Sequence, residues 1–278
     1  MSGRLSKVAI IRGERGLNPV YDALDLILYR EALASYDRVL IKVNFITTKS
    51  WDTGATTDPI VVEALINRFR DRGKEVFVVE SDAQMTNADK AVKDSGMKEM
   101  LDRKGVEFLN MRHLKEKVEI PVLGGKALRK FKVAKIATES AIISAAKLKT
   151  HMNTYVTLGM KNMFGMLTTK WKGRYHLLGM DKVIHDINVT LPPKLTVIDG
   201  FVAMEGPGPV NGKPVKMDII IASLDPVAAD ATGARVMGFN PWEIDHIVWA
   251  HDSGVGEIDD IEILGEDLRN VQRTFRRL

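Results

Sequence analysis

The sequence contains no cysteine. That excludes disulfides, thiolate zinc sites, cysteine nucleophiles and cysteine-held iron–sulfur clusters. Any metal would have to be held by His, Asp, Glu or backbone oxygens, so a divalent ion is the metal class left open. No uninterrupted apolar run approaches the ~18 residues that cross a bilayer, and residues 1–15 lack the apolar core of a signal peptide. The expectation is a cytoplasmic protein without a membrane partner. Common enzyme signatures are missing as well: there is no GxxxxGK[ST], no GxGxxG after a strand, no GxSxG and no HExxH. One further absence is local. From Ser140 to Met180 there is not a single Asp or Glu.

What is present is ordinary in bulk. The 278 residues are 45% apolar and 27% charged, which suits one large α/β unit or two smaller ones. Forty Lys and Arg against 36 Asp and Glu give a net charge of +4, which permits an anionic partner without demanding one.

Periodicity supplies the elements. KVAII (7–11), RVLIKVNFI (38–46) and KEVFVVES (74–81) read as strands, separated by helical patterns over 20–33 and from Pro59 to Gly73. Asp58-Pro59 and Asp225-Pro226 are helix starts, with Asp as the cap and Pro at the first helical position. Strand–helix alternation with short links predicts a parallel sheet with right-handed crossovers. Residues 87–104 read as one or two short helices. Shorter strands are expected at 106–111, 117–123 and 128–136, the last two joined as a hairpin through Gly124-Gly125. AIISAAKL (141–148) reads as another buried strand, followed by helical segments near 154–164 and 178–190. LTVIDG (195–200), KMDIIIASL (216–224) and IEILG (261–265) complete the strands. The fold class is α/β: a mainly parallel, Rossmann-like open sheet flanked by helices, with a smaller antiparallel β element around 106–136. The chain reads as one unit over 1–278, with a division into lobes at about 1–105 and 106–278 left open.

In such sheets ligands bind at the carboxyl ends of the strands. The residues just past each predicted strand are therefore the candidates: Lys42, Asn44 and Thr56-Thr57-Asp58; Glu80, Ser81 and Asp82; Lys147, Lys149, Thr150 and His151; Asp199 and Glu205. The acid-free stretch adds Lys161, Lys170, Lys172, Arg174 and His176, while Gly159 and Gly165 would let backbone approach a ligand or a neighbouring helix. Lysines act as point charges towards phosphate or carboxylate, so this segregation points to an anion pocket. The alternative is a solvated basic face whose apolar residues fill the core. Asp199, ending a buried strand before Gly200, has the placement of a metal-binding or acid–base carboxylate.

The order IKVNF (41–45), GATTDPIVVEALI (54–66), VVES (78–81) and KLKTHMNTYVTLGMKNMFGML (147–167) resembles the domain-of-unknown-function family 362. HDIN (185–188), VIDGFVAMEGPGP (197–209) and DPVAADATGARVMG (225–238) continue the likeness over nearly the whole chain. The family carries no general activity. Some members have ferredoxin-like iron–sulfur segments, a role that a chain without cysteine cannot inherit. The resemblance implies that Lys42, Asn44, Thr57, Asp58, Ser81, Lys149, His151, Lys161, Asn162, His176, Asp186, Asp199, Glu205 and Asp230 are the family's positions.

Together these readings predict a protein that binds or transforms a small anionic molecule, a carboxylate or phosphate. Lys42, Asn44, Thr57, Ser81, Lys149, Lys161, Asn162 and His176 would line the ligand. His151 would transfer protons, since its unperturbed pKa is near neutral. Asp199 and Glu205 would serve as catalytic carboxylates or, with Asp186, hold a divalent ion. The rival reading is a nucleic-acid-binding protein that uses the basic 147–174 stretch with Trp171 and Tyr175, and a third is a structural or assembly role.

Overall fold

The computed structural model describes residues 5–169 and 171–277, so Lys170 lies outside the described residues. Eleven strands are described: β1 (Ser6–Arg12), β2 (Arg38–Lys42), β3 (Glu75–Glu80), β4 (Phe108–Asn110), β5 (Lys117–Pro121), β6 (Lys130–Ala134), β7 (Ala141–His151), β8 (Tyr155–Thr157), β9 (Leu195–Glu205), β10 (Lys213–Ser223) and β11 (Ile261–Gly265). Nine of them form one sheet in the order β11-β1-β10-β9-β7-β2-β3-β4, with β8 paired on the end of β7. From β9 through β7, β2 and β3 to β4 every pairing is parallel. β10 alone runs against both of its neighbours, β1 and β9. The fold is the expected mixed α/β architecture, and strands from both sides of residue 105 share its main sheet.

The central strands are apolar because both faces are covered. All eleven residues of β7 are buried. Its Ala141, Ile143 and Ala145 face a core built with Val20, Leu24, Val62, Leu65 and Phe69 from the helices Asn18–Leu26 and Pro59–Arg70. Ala146 and Leu148 face the opposite layer, packed with Val227, Ala231 and Ala234 of the helix Pro226–Val236. Both Asp-Pro helix starts form as read: Asp58 accepts from the Ile60 amide at 2.9 Å, and Asp225 from Val227 at 2.8 Å and Ala228 at 2.9 Å.

Three local expectations need correction. The 106–111 strand is not part of the small antiparallel element. As β4 it extends the main sheet beside β3, and only β5 and β6 form the separate hairpin. The helical pattern over 20–33 is broken by a left-handed Leu28 (φ 54°), which leaves helices at Asn18–Leu26 and Tyr29–Ala32. The helix expected over 154–164 is mostly absent, because β7 runs on to His151 and folds back as β8. A single turn, Gly159–Asn162, follows. Strand pairing has overridden a helical apolar spacing there. Among the described residues no helix is long and apolar enough to cross a membrane.

Lys147 of β7 and Asp199 of β9 are register partners, fully buried, with Nζ donating to Oδ2 at 2.8 Å. Asp199 also accepts from the Asp58 amide at 2.8 Å and the Phe201 amide at 3.1 Å, so it ties two strands to a helix start. Removing one partner strands a buried charge. Lys147→Met should therefore lower the unfolding free energy by roughly 3–5 kcal/mol in urea titrations. Lys147→Met/Asp199→Asn should recover a good part of that loss. Strictly additive single effects would mean the two side chains are not coupled.

Candidate functional site

β2, β3 and β7 end side by side, and their last residues are polar. Lys42 closes β2, and its Nζ donates to Glu80 Oε2 at 2.9 Å, Asn162 Oδ1 at 2.9 Å and the Val43 carbonyl at 2.7 Å. Glu80 closes β3 and is further fixed by the amides of Phe45 and Ser81 at 3.2 and 2.9 Å. Asn162, on the turn after β8, reaches back through Nδ2 to the Lys42 carbonyl (2.9 Å) and Ser144 Oγ (3.1 Å). Asn44 Nδ2 donates to the same Asn162 oxygen at 3.2 Å, while its own carbonyl accepts from Lys149 Nζ at 2.8 Å. Lys149 also donates to the carbonyls of Ala55 and Pro209. The result is one continuous buried network, Glu80–Lys42–Asn162–Asn44–Lys149.

Burial pulls the Lys42 pKa down, against the opposing attraction of Glu80. Lys149 is pushed well below the usual lysine range, first by burial and then by Lys147 and Lys161. Its partners are dipoles only. Gly165 sits against the Lys42–Glu80 pair so closely that a Cβ there would collide with both side chains, which is the close approach its sequence position suggested. Gly159 similarly abuts Thr196 and Asp230.

Above this network lies a cavity of about 470 Å³. Four lysines border it, Lys42, Lys149, Lys161 and Lys172, against a single carboxylate, Glu80. Lys172 donates to Ser81 Oγ at 2.6 Å, and Ser81 in turn donates to the Gly165 carbonyl. Half-buried Lys161 has no hydrogen-bonding or ion-pairing partner among the described residues. Its Nζ stands 5.7 Å from the Phe164 ring centroid, and that of Lys172 stands 5.6 Å from it. Burial lowers both lysines to about 8. His151 Nδ1 accepts from the amides of Asn153 and Thr154 at 3.1 and 3.3 Å, which requires the neutral tautomer protonated at Nε2. Burial, then Lys161 and Lys149, depress its pKa to about 2. The imidazole is thus a fixed N–H donor at neutral pH and not a titrating base. His176 completes the border, its pKa lowered by burial and by Lys161.

The remaining expected residues lie elsewhere. Thr57 sits behind the pocket, donating to the Ala145 carbonyl at 2.8 Å and accepting from the Asn44 amide at 2.8 Å. Asp58 is engaged by Arg15 at 2.6 and 2.8 Å, and burial raises its pKa against that pull, with Asp199 adding to the rise. Glu205 accepts from the Arg276 amide at 3.1 Å. Asp186 accepts from the amides of Lys126, Ala127 and Leu128 and bonds to His185. Burial opposes its ionisation, but His185 and the three amides outweigh that and hold its pKa low. Asp199, Glu205 and Asp186, expected as a metal set, are therefore not brought together. Asp230 accepts from the Gly159 and Met160 amides at 2.7 and 2.9 Å and is pushed up to about 7 by burial. Among the described residues, the group of possible ligand atoms that does converge is Asp82, Asp89 and His113. Asp82 there is already held by Ala88, Asn110 and Arg112.

The pairing of Glu80 and the inward turn of Lys172 are not legible in the sequence. Glu80 was visible as a strand-end acid, but pairing with Lys42 depends on the β2–β3 register, Lys42 lying beside Val79. Lys172 was visible as one of the acid-free lysines, and its inward turn was not. The apolar walls Phe45, Phe164 and Met180 carried no signal beyond being apolar.

A family model described as a domain of unknown function (DUF362) matches residues 39–235. The thylakoid-associated protein sll1697 of Synechocystis sp. is 27% identical over 215 residues, covering 74% of this chain. The chain spans 64% of that relative's length. No solved structure matches.

The neutral, buried His151 has a consequence for stability. Its folded pKa lies below the unfolded value near 6.5, so the unfolded chain binds more protons as the pH falls. The native state should lose stability from pH 6.5 downwards, by up to about 1.4 kcal/mol per pH unit. His151→Asn keeps an acceptor for the two amides and does not titrate. Denaturant midpoints measured between pH 7 and 5 should fall more steeply for the wild type than for this variant.

Proposed function

From the premise that this chain belongs to the DUF362 family, we propose that it binds a small organic anion, a carboxylate or phosphate, in the cavity at the carboxyl ends of β2, β3 and β7. The observation that carries this reading is the imbalance at the cavity: among the described residues four lysines and one carboxylate border it, and Lys161 makes no hydrogen bond or ion pair. Desolvated cations disfavour their own charged state until a counter-charge arrives. An anion supplies that counter-charge, with Lys161 and Lys172 as point charges and the His151 N–H as an oriented donor. Phe45, Phe164 and Met180 offer the rest of the ligand apolar walls. A lysine near 8 also exchanges protons at neutral pH, so Lys161, ahead of His151, is the group suited to acid–base work on the bound molecule.

The nucleic-acid reading finds less support. Lys147, Lys149, Lys172 and Tyr175 are buried, so most of the basic stretch is turned inward and Tyr175 offers no stacking face.

The test is calorimetric titration with inorganic phosphate, acetate and benzoate at pH 7, backed by melting curves. At least one probe should bind and raise the melting temperature. Lys161→Met should abolish that binding while shifting the ligand-free melting temperature by no more than a few degrees. Because the anion requires protonated lysines whose folded pKa is about 8, affinity should fall as pH rises through that value. Binding that survives Lys161→Met, or strengthens above pH 9, would remove the proposal.

A further inference from the structure

The mouth of the cavity carries a feature that anion binding does not use. Ten large apolar side chains are exposed on the described surface, and five of them either border this one opening, as Met85 and Met152 do, or lie close to bordering residues in space or along the chain, as Trp171, Leu177 and Leu178 do. Met85 and Met152 border the cavity itself. The Trp171 indole and the cavity-lining Gln84 both crowd Gly173, and Leu177 and Leu178 directly follow His176 on the rim. Exposures of 92% for Met85, 85% for Leu177 and 65% for Trp171 describe side chains that stand off the surface.

The rim segments 83–85, 152–153 and 171–178 carry one exposed arginine, Arg174; Lys172 in the same stretch is buried on Ser81, and Asp82, paired with Arg112, directly precedes the first segment. Arg277 borders Met152 on the neighbouring side. Protruding Trp, Leu and Met side chains beside the exposed Arg174 and Arg277 match the chemistry of an anionic bilayer surface. There the apolar tips enter the headgroup boundary and the cations meet lipid phosphates. A rigid protein partner suits these side chains less well, because they come from three chain segments, near 85, near 152 and over 171–178, set around a cavity mouth. A deformable lipid layer meets each tip independently.

We propose that this rim docks the protein peripherally on anionic membrane, with Met85, Trp171 and Leu177 inserted and Arg174 and Arg277 facing the lipid phosphates. The surface is separate from the lysines of the cavity floor, so the proposal stands whether or not the cavity holds an anion.

The experiment is co-sedimentation of the full chain with phosphatidylcholine vesicles, with and without phosphatidylglycerol. Wild-type protein should bind the anionic vesicles, release at high salt, and bind neutral vesicles weakly. Trp171→Ser/Leu177→Ser should lose roughly tenfold in partitioning. Tryptophan emission should shift to the blue on binding, and Trp171→Phe should remove that shift while the protein still sediments. Lys161→Met, which probes the cavity, should bind vesicles as the wild type does. Three outcomes would overturn docking: no sedimentation with either vesicle, equal binding to both that the double substitution leaves unchanged, or a solution dimer that the double substitution dissolves. The last would assign the rim to a second copy of this chain.

Discussion

Everything at the carboxyl edge of this sheet follows from the cost of burying ammonium groups. Lys42, Lys147 and Lys149 are essentially inaccessible to solvent, and each must recover by local contacts what it loses in hydration. Lys147 does so with a full counter-charge, Asp199. Lys42 does so with a counter-charge and two oxygen dipoles. Lys149 has dipoles only, and burial, followed by the repulsion of Lys147 and Lys161, pushes its pKa well below the usual lysine range. The positions of Asn44, Asn162 and the Ala55 and Pro209 carbonyls are then not free choices. They are the oxygens these cations require.

The demand propagates into the fold. Asp199 cannot serve Lys147 without its own second oxygen being satisfied, and the Phe201 amide on the same strand does that. The Asp58 amide also donates to Asp199, and the Asp58 side chain starts the helix Pro59–Arg70 and takes Arg15 from near the amino-terminal strand. Arg15, Asp58, Asp199 and Lys147 therefore form a series with a cation at each end and two carboxylates between them, the Asp58 amide bridging the two acids, which joins β7, β9 and a helix start. Backbone must also come close enough to enclose these groups. Gly165 against the Lys42–Glu80 pair is where that closeness excludes any side chain.

Much of this was legible in the sequence because parallel strands announce themselves and place their ends together. Apolar runs and Asp-Pro starts located β2, β3, β7 and β9, and reading the carboxyl-terminal part of each reached Lys42, Glu80, Lys149 and Asp199. What could not be read was which polar residues face one another. Lys147 and Asp199 are 52 positions apart and meet only through the β7–β9 register. The helix expected at 154–164 failed for a related reason: its apolar residues have helical spacing, but the pairing of Lys149, Thr150 and His151 with β8 outweighs that preference. Burial, then Lys161 and Lys149, keep the His151 imidazole from charging. Two backbone amides occupy Nδ1 and settle its protonation.

The stretch from Lys147 to Leu167 is best understood as a gradient of charge compensation from the core to the mouth. Lys147 is matched by a carboxylate, Lys149 by carbonyl oxygens, and Lys161 by nothing closer than an aromatic ring. A purely structural basic cluster would compensate its cations wherever burial demanded it and would turn the others to solvent. Here the lysine is half-buried beside the cavity, and Asp181, the acid whose field opposes the lowering of its pKa by burial, is hydrogen-bonded to His246 at 2.6 Å and makes no ion pair with it among the described residues. Keeping that ammonium free costs stability, since its pKa is depressed to about 8. Perturbed, uncompensated groups of this kind cluster at functional sites. The basic character of the segment is thus of two kinds, one that holds the sheet together and one left open to an incoming charge.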